Sequence, residues 1–121
     1  MKTCLVVEDS DVVRKVARHN FHSLKFESRE ADSGQAALEA CHSAMPDAIL
    51  LDWQMPAMGS VEFLASLRAM PNGERPHVIY CATENNQRDI ALALTSGADD
   101  YLLKPFEREA LRSKLAAAGL I

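Results

Sequence analysis

The sequence predicts an α/β protein, a doubly wound parallel sheet of five strands with helices on both faces. Three observations carry this. Short apolar runs alternate five times with longer stretches whose apolar residues fall at helical spacing. The best of these runs are continuously apolar, as strands buried on both faces require. The chain has 121 residues, 48% of them apolar, enough for one domain with a core of its own and little room for a second.

Each element has a local reason. Cys4-Leu5-Val6-Val7 is the first buried strand. Ser10 then offers a hydroxyl to cap a helix whose apolar face is Val13, Ala17, Phe21 and Leu24. Phe26 to Ala31 is shorter and more polar, so it is expected at a sheet edge. Ser33 caps a second helix with Ala37, Leu38 and Cys41 inward, and Pro46 stops the chain before the strand Ala48-Ile49-Leu50-Leu51. A turn containing Gly59 precedes a helix with Phe63, Leu64 and Leu67 inward, and Pro71-Asn72-Gly73 marks a loop. Val78-Ile79-Tyr80-Cys81 is the fourth strand. Asp89 to Ser96 is a short helix with Ile90 and Leu94 inward, ended by Gly97. Tyr101-Leu102-Leu103 is the fifth strand, and Glu107 to Ala118, with Leu111 and Leu115 inward, is the last helix. Only that helix follows Lys104, so no output domain is expected.

Composition narrows the function. The net charge is −4 and no block of Lys or Arg occurs, which argues against nucleic acid as a partner. No signal-peptide pattern or membrane-length apolar run is present, so a cytoplasmic location is expected. Cys4, Cys41 and Cys81 are odd in number and sit among apolar residues, as buried reduced thiols do. His19 and His22 have no partner at ligand spacing and are expected on a solvated helix face.

In a doubly wound sheet the ligand crevice lies beyond the carboxyl ends of the strands. Those positions hold Glu8-Asp9, Asp52, Ala82-Thr83 and Lys104-Pro105. Three carboxylates brought together repel one another, and a hard divalent cation such as Mg²⁺ removes that repulsion. Lys104 adds a point charge suited to a phosphoryl oxygen. Singly, each residue is an ordinary loop residue; their shared placement at the ends of alternating strands is the signal.

The chain resembles the bacterial response-regulator receiver family over nearly its whole length. The resemblance rests on Val6-Val7-Glu8-Asp9-Ser10, Leu50-Leu51-Asp52-Trp53-Gln54-Met55-Pro56, Gly97-Ala98-Asp99-Asp100-Tyr101 and Lys104-Pro105-Phe106. It implies the flavodoxin-like strand order 2-1-3-4-5. It implies that Asp52 is the phosphoacceptor, and that Glu8 and Asp9 hold Mg²⁺, directly or through water, together with Asp52 and the backbone carbonyl of Gln54. Lys104 would contact the phosphoryl group and precede a cis proline. The donor would be a histidine kinase or phosphotransfer protein. Its phosphoryl group would drive a switch at Tyr101 that alters binding of a downstream protein, the chain itself being a monomer and not an enzyme in the usual sense.

Two departures accompany the resemblance. Counting back from Gly97 without gaps, the family's phosphate-contacting Thr or Ser falls on Ala82, whereas a one-residue slip would give that role to Thr83. The family's Met-Pro-x-x-Asp-Gly turn reads Met55-Pro56-Ala57-Met58-Gly59-Ser60. Two other readings stand beside this one. Asp9-Ser10-Asp11 fits the Asp-x-Asp of a haloacid-dehalogenase-type phosphohydrolase, and Ala82 fits a receiver-like module that signals without phosphorylation.

Overall fold

The computed structural model describes residues 1–52, 58–82 and 87–121. Strands and helices alternate as β1 (Thr3–Val7), α1 (Asp11–Ser23), β2 (Glu27–Ala31), α2 (Gly34–Ser43), β3 (Ala48–Asp52), α3 (Ser60–Ala69), β4 (His77–Ala82), α4 (Gln87–Ser96), β5 (Asp100–Leu103) and α5 (Arg108–Ala117). The five strands form one parallel sheet in the order β2-β1-β3-β4-β5. The fold class and the strand order are those expected from the sequence.

Alternation along the central strands sends successive side chains to opposite faces, so a continuously apolar strand feeds two cores. Leu5, Val7, Ile49, Leu51, Val78 and Tyr80 face one layer, closed by residues of α2, α3 and α4. Cys4, Val6, Ala48, Leu50, Ile79 and Cys81 face the other, closed by Ala17 and Phe21 of α1 and Leu111 and Leu115 of α5. Phe21 and Phe26 meet edge to face at 5.4 Å and seal the end of the second layer. The polar strand β2 is at a sheet edge, as its composition predicts.

Local caps follow the sequence. Ser10 and Ser33 accept from Val13 N–H and Ala36 N–H at the starts of α1 and α2. Gly97 ends α4 at φ +130°, and its carbonyl accepts two bonds from Arg68, which ties α3 to the α4–β5 turn.

One inward residue differs from the expectation. In α4 it is Ala93 that is buried with Ile90, while Leu94 is 38% exposed. The helix begins at Gln87 rather than Asp89, and the small Ala93 lies against the sheet while the larger leucine stands outside. Leu38 is half-buried at the rim of the first core. Cys4, Cys41 and Cys81 are buried free thiols, and His19 and His22 are exposed, as expected. Among the described residues no helix is long and apolar enough to cross a membrane.

Candidate phosphoryl-acceptor site

The carboxyl ends of β1, β3 and β5 bring the predicted residues together. Asp52 is the last residue of β3 and is 7% exposed; Glu8 directly follows β1 and is 5% exposed. The register pairs Val7 with Leu51 and Ala82 with Leu103, so the strands end close to one level. Glu8, Asp9 and Asp52 each present a carboxylate oxygen within 4.8 Å of the others, with Asp9 exposed above the two buried acids.

Lys104 compensates this charge. Its Nζ lies 2.9 Å from Glu8 Oε1 and 2.9 Å from Asp52 Oδ1. The Lys104 N–H donates to the Ala82 carbonyl at 2.7 Å, and Lys104-Pro105 is cis, as the resemblance implied. Burial by itself would lower the Lys104 pKa, but hydrogen bonds to Glu8 and Asp52 outweigh it and leave the ammonium more firmly charged than usual. Asp9 responds in the opposite sense for an acid: its hydrogen bond with Glu8, then burial and the Glu8 charge, hold its carboxyl above the ordinary range. The contribution of the Glu8 charge to this is the repulsion that a cation would relieve.

The two acids beside Asp52 are not equivalent. Glu8 Oε1 accepts from Lys104 and Oε2 accepts the Ser10 N–H at 3.1 Å, so both of its oxygens already have protein donors. The exposed Asp9 is the acid more open to a hydrated cation. A set of hard carboxylate oxygens with an open side fits Mg²⁺, which keeps several waters.

Two residues that the sequence reading passed over complete the site. Arg14, 9% exposed, donates through Nη1 to the Glu8 carbonyl at 2.7 Å and through Nε to Glu30 at 3.0 Å, and also bonds Asp11. Ser60, 1% exposed, donates its hydroxyl to the Asp52 carbonyl at 2.7 Å. A basic residue one turn into α1 is a common surface residue in sequence, so Arg14 gave no signal. Ser60 carried a weak one, standing in a turn where the resemblance expects glycine.

Ala82 ends β4 with its side chain buried in the first core, on the same face as Tyr80. Tyr101 is half-buried against that core, with Lys114 Nζ 5.0 Å from its ring centre. Thr83, the Gln54 carbonyl and Trp53 lie outside the described residues. Asp11, the second acid of the hydrolase reading, is exposed and ion-paired to Arg14.

A crevice of carboxylates faced by a lysine, at the strand ends of a 2-1-3-4-5 sheet, defines a receiver. The chain belongs to the response regulator receiver domain family, whose sequence profile matches residues 4–116. Within two-component signalling it is similar to chemotaxis protein CheY and to the receiver portion of a longer regulator. It is 30% identical to chemotaxis protein CheY of Pseudomonas aeruginosa over 112 residues, covering 92% of this chain and 90% of that protein. It is also 30% identical over 112 residues to the phosphate regulon transcriptional regulatory protein PhoB of Rhizobium meliloti, covering 93% of this chain but only 49% of that longer protein. Chemotaxis response regulator CheY4 of Vibrio cholerae superposes with a TM-score of 0.90 at 28% identity, over 97% of this chain and 98% of that one. The receiver domain of sensor histidine kinase PA1611 from Pseudomonas aeruginosa, which has a magnesium ion coordinated in its active-site cleft, superposes at 0.88 with 30% identity, over 96% and 95%. Receivers are signalling proteins rather than conventional enzymes.

Proposed function

We propose that this chain accepts a phosphoryl group on Asp52 from the phosphohistidine of a kinase or phosphotransfer protein and signals through the resulting change of surface. The observation that carries this is the Lys104 ammonium, 2.9 Å from the Asp52 carboxylate inside a three-acid crevice.

An Asp52 carboxylate oxygen attacks phosphorus, the donor's P–N bond breaks, and the leaving imidazole takes up a proton. Lys104 is placed to neutralise charge on the phosphoryl oxygens as the transfer proceeds. Asp9 and Asp52, with Glu8 through water and the Gln54 carbonyl, are the residues to hold Mg²⁺. When bound, the ion supplies further charge neutralisation to those oxygens. Phosphorylation draws Lys104 away from its shared position between Glu8 and Asp52, so the β5–α5 turn feels the event directly.

Beside the crevice lies an apolar groove of about 460 Å³ lined by Val12, Val13, Val16, Ala17, Lys104, Pro105 and Phe106. Val12 and Val16 are 71% and 55% exposed, an apolar rim suited to the donor protein. At the switch position Ala82 brings no hydroxyl to the phosphoryl group. The relay to Tyr101 therefore lacks that contact, unless Thr83 supplies it. This favours a second reading, a receiver-like module whose partner binding is the same with and without a phosphodonor.

Intact-mass measurement after incubation with acetyl phosphate and Mg²⁺ tests the proposal. One added phosphoryl group is expected, absent in Asp52→Asn and strongly slowed in Asp9→Asn. Unchanged labelling of Asp52→Asn would sink the assignment.

A further inference from the structure

Asp52 is the last residue of β3 and is paired in register with Cys81. Its carboxylate must meet Lys104 and lie within reach of Asp9 and Glu8. Ser60 holds the Asp52 peptide. It is the first residue of α3, eight positions on, and its hydroxyl donates to the Asp52 carbonyl at 2.7 Å, the preferred length for O–H···O. The bond is buried, where a hydrogen bond is electrostatically stronger than in water.

The arrangement falls where the resemblance expects an Asp-Gly pair and this chain has Gly59-Ser60. Gly59, at the N-cap of α3, provides no side-chain cap, and a Cβ there would meet nothing within 4 Å. Ser60, next to it, is 1% exposed and turns its hydroxyl back toward the acceptor. The helix start is thus tied to the peptide that carries the acceptor carboxylate.

We infer that Ser60 is a positioning residue for phosphoryl capture: its hydroxyl fixes the Asp52 peptide and so aims the carboxylate between Lys104 and the neighbouring acids. The inference rests on the reading of Asp52 as phosphoacceptor. Small misplacement of a reacting group is costly in rate, so loss of the hydroxyl should be visible in capture even where the fold survives.

The test measures acetyl phosphate capture at saturating Mg²⁺ by intact mass, well below the unfolding midpoint, for the wild-type chain, Ser60→Ala, Ser60→Gly and Ser60→Thr. Urea unfolding of each variant runs beside it. Expected is a rate lower by about tenfold in Ser60→Ala and Ser60→Gly, with restoration in Ser60→Thr, which keeps a hydroxyl. A purely structural staple would lower the urea midpoint and leave the rate of the folded molecules unchanged. A wild-type rate in folded Ser60→Ala overturns the inference, as does a cooperatively folded Ser60→Thr that stays equally slow. If Ser60→Ala does not fold, Ser60→Gly carries the same two outcomes. A wild-type chain that takes no phosphoryl group overturns both the acceptor assignment and this inference; normal capture by Ser60→Ala overturns this inference alone.

Discussion

Arg14 is a guanidinium buried to about nine-tenths, and such a charge is tolerated only when its donors are satisfied. Here one arm holds the Glu8 carbonyl, and the others meet Glu30 and Asp11. Glu30 also pairs with Arg18, so the edge strand β2 and helix α1 are joined through one carboxylate. The partners are unequal in worth: Asp11 is 80% exposed and Glu30 40%, so solvent screens both ion pairs and the buried bond to Glu8 dominates. Arg14→Met keeps the volume and removes the donors. It should destabilise by about 2–3 kcal/mol, chiefly by stranding a buried carbonyl and loosening the Glu8-Asp9 turn. Urea unfolding with and without Mg²⁺ checks this. The Mg²⁺-dependent gain in stability should shrink in the variant, and an unchanged gain would remove Arg14 from the support of the site.

Helix α3 starts with a weak local device. Its N-cap Gly59 is extended, at φ −72° and ψ 159°, and makes no side-chain bond, while Ser10 and Ser33 cap α1 and α2 in full. The φ is one that any residue can adopt, and space for a side chain is open. Gly59→Asp should therefore stabilise by about 0.5–1 kcal/mol, through the cap, the helix dipole and a less flexible unfolded chain. A rise in the urea midpoint at constant slope is the expected readout; a fall would show that the glycine is needed for the turn ahead of it. The buried Ser60 bond, from the neighbouring position, ties the start of α3 to the end of β3.

Across the whole molecule, opposite ends of the sheet have opposite tasks. The carboxyl ends carry the crevice. The amino ends are laced by Asp47, whose carboxylate accepts the Thr3 N–H at 2.9 Å and the Arg75 guanidinium at 2.9 Å. The Thr3 bond, reinforced by Arg75, holds the Asp47 carboxyl below its ordinary range. The bond from Arg14 does the same for Glu30. A depressed carboxyl contributes stability above its unfolded pKa, and that contribution is lost as pH falls through the folded one. On the alkaline side, burial pushes Cys4 up to about 12 and Cys41 up to about 11. Their contribution is complete below the ordinary thiol pKa of about 8.5 and lost as pH rises beyond it, because only the unfolded chain can ionise. Unfolding free energy should thus plateau near neutrality and fall on both sides. Asp47→Asn should flatten the acid limb, which urea titrations at a series of pH values would reveal; an acid limb identical to wild type would assign that loss to other carboxylates.

Much of this architecture is legible along the chain, because a parallel sheet buried on both faces demands continuous apolar strands and helical spacing between them. The same periodicity puts Glu8, Asp9, Asp52 and Lys104 at strand ends, and the strand order that the resemblance implies brings those ends into one crevice. Which small or large residue of a marginal helix turns inward does not follow: Ala93 rather than Leu94 meets the sheet, since a shift of one residue rotates the face by 100° and short helices constrain that rotation weakly. Nor does the bonding of Arg14 and Ser60 follow, because both act on backbone carbonyls, six and eight residues back along the chain. A carbonyl is the same group at every position, so no pattern of residue types marks it as a partner. Packing of α1 and α3 against the strand ends decides those bonds, and with them how the acceptor carboxylate is held.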